Sequence, residues 1–180
     1  MSFRSQIYAR YVVANTLRAY HGTPYIFDHF DLQHSGKQND PGDYGRGIYF
    51  DTDKNWASAY AKGKDRQLLE CVLHLHSPYF LDFDKYAKDK RQIAYDGYKT
   101  SKAAIEDLVK YKKMLKKGGL DVDDEIDNFL SISRRYGANK ITEAIKRAGH
   151  DGVVVNYGAS QEIVVFDPKQ IEIINRHPFD

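Results

Sequence analysis

The sequence has little cysteine, little net charge and no long hydrophobic run. Its single cysteine, Cys71, excludes an internal disulfide and a zinc site built on two or more thiolates, and suits a reducing compartment such as the cytoplasm. Lys and Arg number 27 against 25 Asp and Glu, so the net charge of +2 does not by itself indicate nucleic-acid binding. No apolar run is long enough to span a bilayer. With 180 residues, 42% of them apolar, we expect a single globular domain over residues 1–180.

Strand patterns lie near both ends of the chain, and a charged helical block lies between them. Strands are predicted at 19–25, 45–50, 67–76, 151–156, 162–166 and 171–174. A short helix is predicted at 51–62, capped by Thr52 or Asp53, with Trp56, Ala59 and Tyr60 on one face. The helical block covers about 84–149, with stops at glycines. This order predicts an α+β domain with a helical insertion.

The first residues allow two interpretations. Apolar residues at Phe3, Ile7, Tyr11, Ala14 and Leu17 have the spacing of an amphipathic N-terminal helix. Residues 1–27 also carry arginines and no acid, as mitochondrial transit peptides do. We favour the structural helix.

Several short motifs predict no chemistry when taken alone. The glycines at 42, 45 and 47 precede a strand, whereas a dinucleotide fingerprint follows a strand and opens a helix. His74 and His76 share one strand face, but no third metal ligand is spaced nearby. Cys71 falls on the apolar face of the same strand, together with Leu69 and Leu73, and is predicted to be a core residue.

Three motifs and one further tyrosine occur in a specific order. They are Tyr20-His21-Gly22-Thr23, Gly45-x-Gly47-Ile48-Tyr49-Phe50, then Tyr60, and Gln161-Glu162-Ile163-Val164-Val165-Phe166-Asp167. Together they resemble the ADP-ribosyltransferase fold in its His-Tyr-Glu branch, that of poly(ADP-ribose) polymerases and diphtheria toxin. Gly149-His150-Asp151-Gly152-Val153 is similar to the phage and mobile-element members, of polyvalent-protein type. The resemblance covers residues 19–80 and 148–175, and implies a split, twisted antiparallel sheet with NAD⁺ in its central cleft.

The resemblance implies a role for each matching residue. Glu162 would bond the ribose 2′-hydroxyl as oxocarbenium-like charge develops, and would also draw a proton from the acceptor. His21 would bond the adenosine ribose, and the backbone of Gly22 would bond the nicotinamide amide. Tyr49 and Tyr60 would sandwich the nicotinamide ring. No metal is implied, because the leaving group of NAD⁺ is already cationic.

Thr23 matches the family pattern and completes the NAD-binding His-Gly-Thr motif. Two other positions depart from that pattern. Members that modify arginine carry Gln or Glu two residues before the catalytic Glu, whereas this chain has Ser160, which disfavours arginine as the acceptor. The polymerase branch has Ser three residues before the second stacking tyrosine, where this chain has Ala57. The nicotinamide amide would then rely on Gly22 alone, on Ser58 or on a water molecule.

These features predict a mono-ADP-ribosyltransferase that modifies a protein or nucleic acid. We expect a toxin, effector or phage-borne modifier, acting in a cytoplasm and paired in some systems with an antitoxin or immunity protein. Two alternatives stay open. One is an NAD⁺ glycohydrolase, and the other is a non-catalytic module that binds ADP-ribose or nucleic acid.

The helical block carries an uneven charge. Residues 85–117 hold eleven Lys and Arg and four acids, a net charge of +7, while residues 121–127 hold five acids and no base. One interpretation is two solvated faces that neutralise each other. The other is a basic patch, interleaved with Tyr86, Tyr95, Tyr98 and Tyr111, that holds an RNA or DNA acceptor.

Overall fold

The computed structural model describes residues 16–34, 42–83 and 102–177, and all statements below concern these residues. The predicted N-terminal helix and the first part of the helical block therefore lie outside the description. The strands are β1 Thr16–Thr23, β2 Ile48–Asp51, β3 Gln67–His74, β4 Tyr79–Asp82, β5 Gly152–Asn156, β6 Gln161–Val165 and β7 Ile171–His177. The α-helices are α1 Lys54–Ser58, α2 Lys102–Lys117, α3 Phe129–Tyr136 and α4 Ala138–Arg147.

All seven strands form one sheet in the order β4-β5-β6-β2-β1-β3-β7. Neighbouring strands are antiparallel except β4 and β5, which are parallel. A parallel pair requires a long crossover connection, and the helical block supplies it between β4 and β5. Strand β4 is absent from the sequence prediction.

The sheet consists of two halves that meet between β1 and β2. Strand β1 is in register with β3 along its whole length, from Thr16 opposite His74 to Thr23 opposite Gln67. Between β1 and β2 the register joins Tyr20 to Asp51. This division in an otherwise mainly antiparallel sheet confirms the predicted α+β, split-sheet architecture.

Each face of the sheet has its own hydrophobic core. On the helical face, Val153, Val155 and Val164 pack with buried residues of α2 to α4 such as Tyr111 and Ile145. We call the opposite side the loop face; its core is Ile48, Phe50, Leu69, Cys71, Leu73, Ile163 and neighbouring side chains. The predicted inward alternation of Leu69, Cys71 and Leu73 is confirmed, since all three are fully buried. Burial raises the pKa of the Cys71 thiol to about 12, as expected of a core residue rather than a nucleophile.

Two local predictions require correction. Leu17 belongs to β1, opposite Leu73, so an N-terminal helix cannot extend to it. Helix α1 is shorter than predicted and ends at Ser58, so Trp56, Ala59 and Tyr60 do not form its packed face. Its buried residue is Ala57, while Trp56 and Tyr60 are exposed.

The helix boundaries agree better with the sequence. Asp53 is the N-cap of α1, and its side chain accepts a hydrogen bond from the Asn55 amide. Helices α2, α3 and α4 end one or two residues before the predicted glycines 118, 137 and 149. Within 16–34, 42–83 and 102–177, no helix has the length and apolar character needed to cross a membrane.

Candidate active site

The three central strands carry the residues expected to bind and cleave NAD⁺. Strands β1, β2 and β6 are consecutive in the sheet, and they bear His21, Tyr49 and Glu162 respectively. His21 and Glu162 are 141 positions apart along the chain, yet the topology brings all three residues to the division between the two half-sheets. The fold thus brings the His, Tyr and Glu motifs together.

Glu162 and Tyr49 lie on the same face of the sheet. Glu162 is directly opposite Asp51 on β2, and Tyr49 is two residues from Asp51, so its side chain projects to the same side. This is the helical face, because Tyr49 packs against the core formed with α2 to α4. Asp51 is a buried carboxylate that the sequence analysis missed.

His21 has a different orientation from Glu162. It follows Tyr20, the residue opposite Asp51, so its side chain projects to the loop face. There it contacts Phe30 and Phe50, with ring centroids 5.1 and 5.5 Å away. The structure therefore connects His21 to Tyr49 through the backbone of Tyr49 and not through its ring.

The hydrogen bond of His21 defines its tautomer. Its Nδ1 lies 2.7 Å from the carbonyl oxygen of Tyr49. Because a carbonyl only accepts, Nδ1 carries the proton and Nε2 is left as an acceptor when the ring is neutral. Burial lowers the pKa of His21 below its usual value, opposed by the Tyr49 hydrogen bond, so the ring is neutral at physiological pH.

Tyr49 is held by the glycine-containing loop that precedes β2. Its hydroxyl donates to the carbonyl of Gly45 at 2.8 Å and accepts from the amide of Tyr44 at 3.3 Å. Gly45 has a φ of +109°, and an added Cβ would lie 2.6 Å from the Thr142 hydroxyl on α4. The glycines of this loop therefore serve turn geometry and close packing against α4, which places Tyr49.

Helix α1 packs against the end of β1. A Cβ at Gly22 would collide with the carbonyl oxygen of Ala57, so close packing alone requires this glycine. The Ser58 hydroxyl donates to the carbonyl of Asn55 at 2.8 Å, within the helix. Tyr60 follows the helix with 66% of its surface exposed, which leaves it accessible to a ligand.

Thr23 closes β1 with a local contact. It is buried, and its hydroxyl accepts from the amide of Tyr25 at 3.2 Å. This contact turns the chain out of the strand and into the segment that bears Phe27 and Phe30. Those two rings in turn contact His21.

Glu162 contacts Tyr157, and Tyr157 contacts Tyr44, two tyrosines that the sequence analysis missed. Tyr157 donates from its hydroxyl to Glu162 Oε2 at 3.2 Å, and its oxygen lies 3.3 Å from the hydroxyl of Tyr44. Tyr157 begins the turn between β5 and β6, which a Tyr157 amide to Ser160 carbonyl bond of 2.9 Å closes. The strands predicted at 151–156 and 162–166 imply a turn between them, and that turn is the sequence signal that could have identified Tyr157.

The Gly-His-Asp-Gly segment has a structural role in this chain. Asp151 accepts hydrogen bonds from the backbone amides of His76 and Ser77 at 2.6 and 3.0 Å. The amide side chain of Gln170 also donates to Asp151, at 3.1 Å. These bonds tie the turn before β4 to the start of β5. Across the described ranges, no three His, Cys, Asp or Glu side chains group as metal ligands.

The charge of the described part of the basic segment is partly neutralised by ion pairs within the chain. Lys112 is buried and donates to the carbonyl of Asp124 at 2.8 Å, while Lys116 forms a 2.8 Å ion pair with the Asp124 carboxylate. Tyr111 is fully buried, so the suggestion that it stacks on a base is wrong. Residues 85–101 lie outside the description. In α2 the contacts favour two mutually neutralising faces over a nucleic-acid patch.

Comparisons with known proteins agree with this architecture. A family model described as "ADP-Ribosyltransferase in polyvalent proteins" matches residues 15–178. The chain therefore belongs to this ADP-ribosyltransferase family. The match runs through the helical block, which the sequence analysis had left outside the resemblance.

Comparisons with curated proteins and with solved structures give less information about this chain. No curated protein matches this sequence. One similar solved structure is described as a crystal structure of an anti-CRISPR protein. It is 13% identical, with a TM-score of 0.38, and the alignment covers 88% of this chain and 96% of that one.

Proposed function

We propose that this protein cleaves the nicotinamide–ribose bond of NAD⁺ and transfers one ADP-ribose unit to a macromolecular acceptor. Family membership supports ADP-ribosyltransferase chemistry in general. The observation that carries the specific proposal is the arrangement of β1, β2 and β6 as neighbours, with His21, Tyr49 and Glu162 at the division of the sheet.

In this proposal NAD⁺ lies across the division between the two half-sheets, where it reaches His21 on the loop face and Tyr49 and Glu162 on the helical face. Its adenosine ribose donates to Nε2 of His21, which the Nδ1–Tyr49 bond leaves free to accept. Its nicotinamide stacks between Tyr49 and the exposed ring of Tyr60, and its amide bonds the Gly22 backbone. Thr23 and Ser58 line the same end of the site.

Glu162 provides the catalytic carboxylate. As the glycosidic bond breaks, positive charge develops on the ribose, and a hydrogen bond from the 2′-hydroxyl to the carboxylate becomes stronger. Its free energy therefore lowers the barrier more than it stabilises bound NAD⁺. The same carboxylate would accept a proton from the attacking acceptor.

The biological setting belongs to the same proposal. We place the activity in a cytoplasm, as a toxin, effector or phage-borne modifier, with an antitoxin or immunity protein as a partner. Ser160 in place of Gln or Glu disfavours an arginine acceptor. The paired lysines of α2 shift the expectation towards a protein acceptor over RNA or DNA.

The test incubates adenylate-labelled NAD⁺ and a cell lysate with the wild type, Glu162→Gln and Glu143→Gln. Glu143 is an exposed residue of α4 and serves as a matched control. We expect nicotinamide release and retained label with the wild type and the control but not with Glu162→Gln. Removal of the label by protease or by nuclease identifies the acceptor class.

Two results would contradict transfer. Nicotinamide release without retained label would indicate a glycohydrolase. No turnover of NAD⁺ by the wild type would indicate a binding module.

A further inference from the structure

We infer that Tyr157 is a positioning residue for Glu162, and that Tyr44 behind it links the carboxylate to the loop that holds Tyr49. This inference rests on the proposed function, because it assigns these tyrosines to the same NAD⁺-cleaving site. The observation behind it is a series of hydrogen bonds from Glu162 through Tyr157 to Tyr44.

The direction of each bond follows from the chemistry of the groups. An ionised carboxylate has no proton, so the Tyr157 hydroxyl must donate to Glu162. The Tyr157 oxygen then accepts from the Tyr44 hydroxyl, 3.3 Å away. Each bond polarises the next, which strengthens a chain of this kind in a buried setting. Both tyrosines are buried, with 6% of Tyr157 and 4% of Tyr44 exposed.

Tyr44 also contacts the other end of the site. Its backbone amide donates to the Tyr49 hydroxyl, and that hydroxyl donates to the carbonyl of Gly45. The same short loop therefore positions the stacking ring of Tyr49 and, through Tyr157, the carboxylate of Glu162. Residues of α4 anchor the loop, since the Arg46 amide bonds the Ala138 carbonyl at 3.2 Å.

This arrangement gives the helical block a role in the site. Tyr44 and Tyr157 belong to the core that α2, α3 and α4 form against the sheet. The ring of Tyr44 packs edge-on to Phe129 of α3, with centroids 6.4 Å apart. The helices thus brace Tyr157, whose hydroxyl bonds Glu162, and Tyr44 behind it, so the bonded carboxylate has fewer accessible orientations.

The Tyr157–Glu162 bond can shorten during the reaction. At 3.2 Å it is long for an O–H···O bond, and catalytic hydrogen bonds commonly tighten on the way to the transition state. A hydrogen bond that tightens as charge develops on the ribose affects kcat more than it affects substrate binding. The expected signature is therefore a change in kcat at nearly constant KM.

The experiment measures kcat and KM for nicotinamide release by Tyr157→Phe, Tyr44→Phe and Tyr111→Phe. The last is a matched control, because it removes a buried tyrosine hydroxyl from α2 without touching this chain of bonds. We expect Tyr157→Phe to lower kcat by about tenfold or more, with KM for NAD⁺ within about twofold. Tyr44→Phe should lower kcat less, and Tyr111→Phe should match the wild type.

A double variant separates positioning from structural damage. If Tyr157 acts through Glu162, adding Tyr157→Phe to Glu162→Gln should leave the residual rate unchanged, as labelled nicotinamide can measure. Independent, multiplicative losses would overturn the inference, as would a Tyr157→Phe kcat equal to that of the wild type while Glu162→Gln is inactive. Absence of turnover in the wild type would instead overturn the proposed function itself.

Tyr44→Phe gives a second test that retains the Tyr157–Glu162 bond. Thermal unfolding of each variant accompanies the kinetics. A reduced kcat at an unchanged unfolding midpoint supports positioning. A loss of kcat that only follows the loss of folded protein contradicts it.

Discussion

His21 Nδ1 donates a 2.7 Å hydrogen bond to the carbonyl oxygen of Tyr49. This bond crosses from β1 to β2 directly beside the pair Tyr20–Asp51, where the two half-sheets are in register. A side chain thus supplements the backbone pairing at the division of the sheet. His21 therefore stabilises the cleft in addition to any contact that it makes with NAD⁺.

The first prediction concerns the pH dependence of stability. Because burial lowers the pKa of His21 below 6.5 in the folded state, the unfolded chain binds more protons as the pH falls through 6.5. The contribution of neutral His21 is thus complete above pH 6.5 and is lost progressively towards the lowered pKa. The free energy of unfolding, measured with urea at pH 7.5, 6.5 and 5.5, should fall more steeply with decreasing pH for the wild type than for His21→Asn.

His21→Asn is a suitable comparison, since its amide nitrogen can donate from near the Nδ1 position without titrating. The other histidines and carboxylates contribute equally to both proteins, so the difference isolates His21. Parallel pH profiles for the two proteins would show that His21 does not titrate abnormally.

The second prediction concerns Tyr111 in α2. Its hydroxyl is buried and, among the residues that the structure describes, has no hydrogen-bond partner. Leaving a polar group buried and unpaired costs about 1–3 kcal/mol, so Tyr111→Phe should raise the free energy of unfolding by about 1 kcal/mol. For a chain of this size the unfolding midpoint should rise by about 2–4 °C. A lower midpoint would mean that the hydroxyl is bonded in solution.

The third prediction compares two adjacent lysines. Lys112 is buried and donates to the Asp124 carbonyl, whereas Lys113 is exposed. Lys112→Glu places a buried charge beside the acidic 121–127 segment and should lower the free energy of unfolding by about 2 kcal/mol or more. Lys113→Glu should change it by less than about 0.5 kcal/mol. Chemical denaturation measures both.

The same two lysine variants also test which class of macromolecule is the acceptor. Equal stability of Lys112→Glu and Lys113→Glu would contradict the internal neutralisation of α2. A loss of macromolecule labelling by Lys113→Glu, with NAD⁺ cleavage intact, would restore the basic-patch hypothesis.

Local signals in the sequence account for much of the fold. The alternation of Leu69, Cys71 and Leu73 predicts a strand with one face in the core, although Leu68 and Glu70 on its other face are buried as well. Asp53 predicts a helix start because its side chain can bond a free backbone amide. Strand β4 gives no such signal. Its four residues pair with β5 across the whole helical block, and only tertiary packing determines that contact.

The candidate site shows the same limit. Glu162, Tyr49 and His21 occur in motifs and can be recognised from the order of those motifs. Tyr157 and Tyr44 cannot, because neither is a residue of the three ordered motifs and their contact joins positions 113 residues apart. Likewise, a glycine motif in the sequence does not distinguish a glycine needed for close packing from one needed for ligand binding. At Gly22 the structure shows close packing against Ala57.

We propose that Glu162 drives NAD⁺ cleavage at the division of the sheet. The most direct measurement is the rate of nicotinamide release by the purified wild type and by Glu162→Gln at saturating NAD⁺. We expect turnover by the wild type and a loss of about 100-fold or more in the variant, with NAD⁺ binding largely retained. Equal rates for the two proteins, or no release by the wild type, would contradict it.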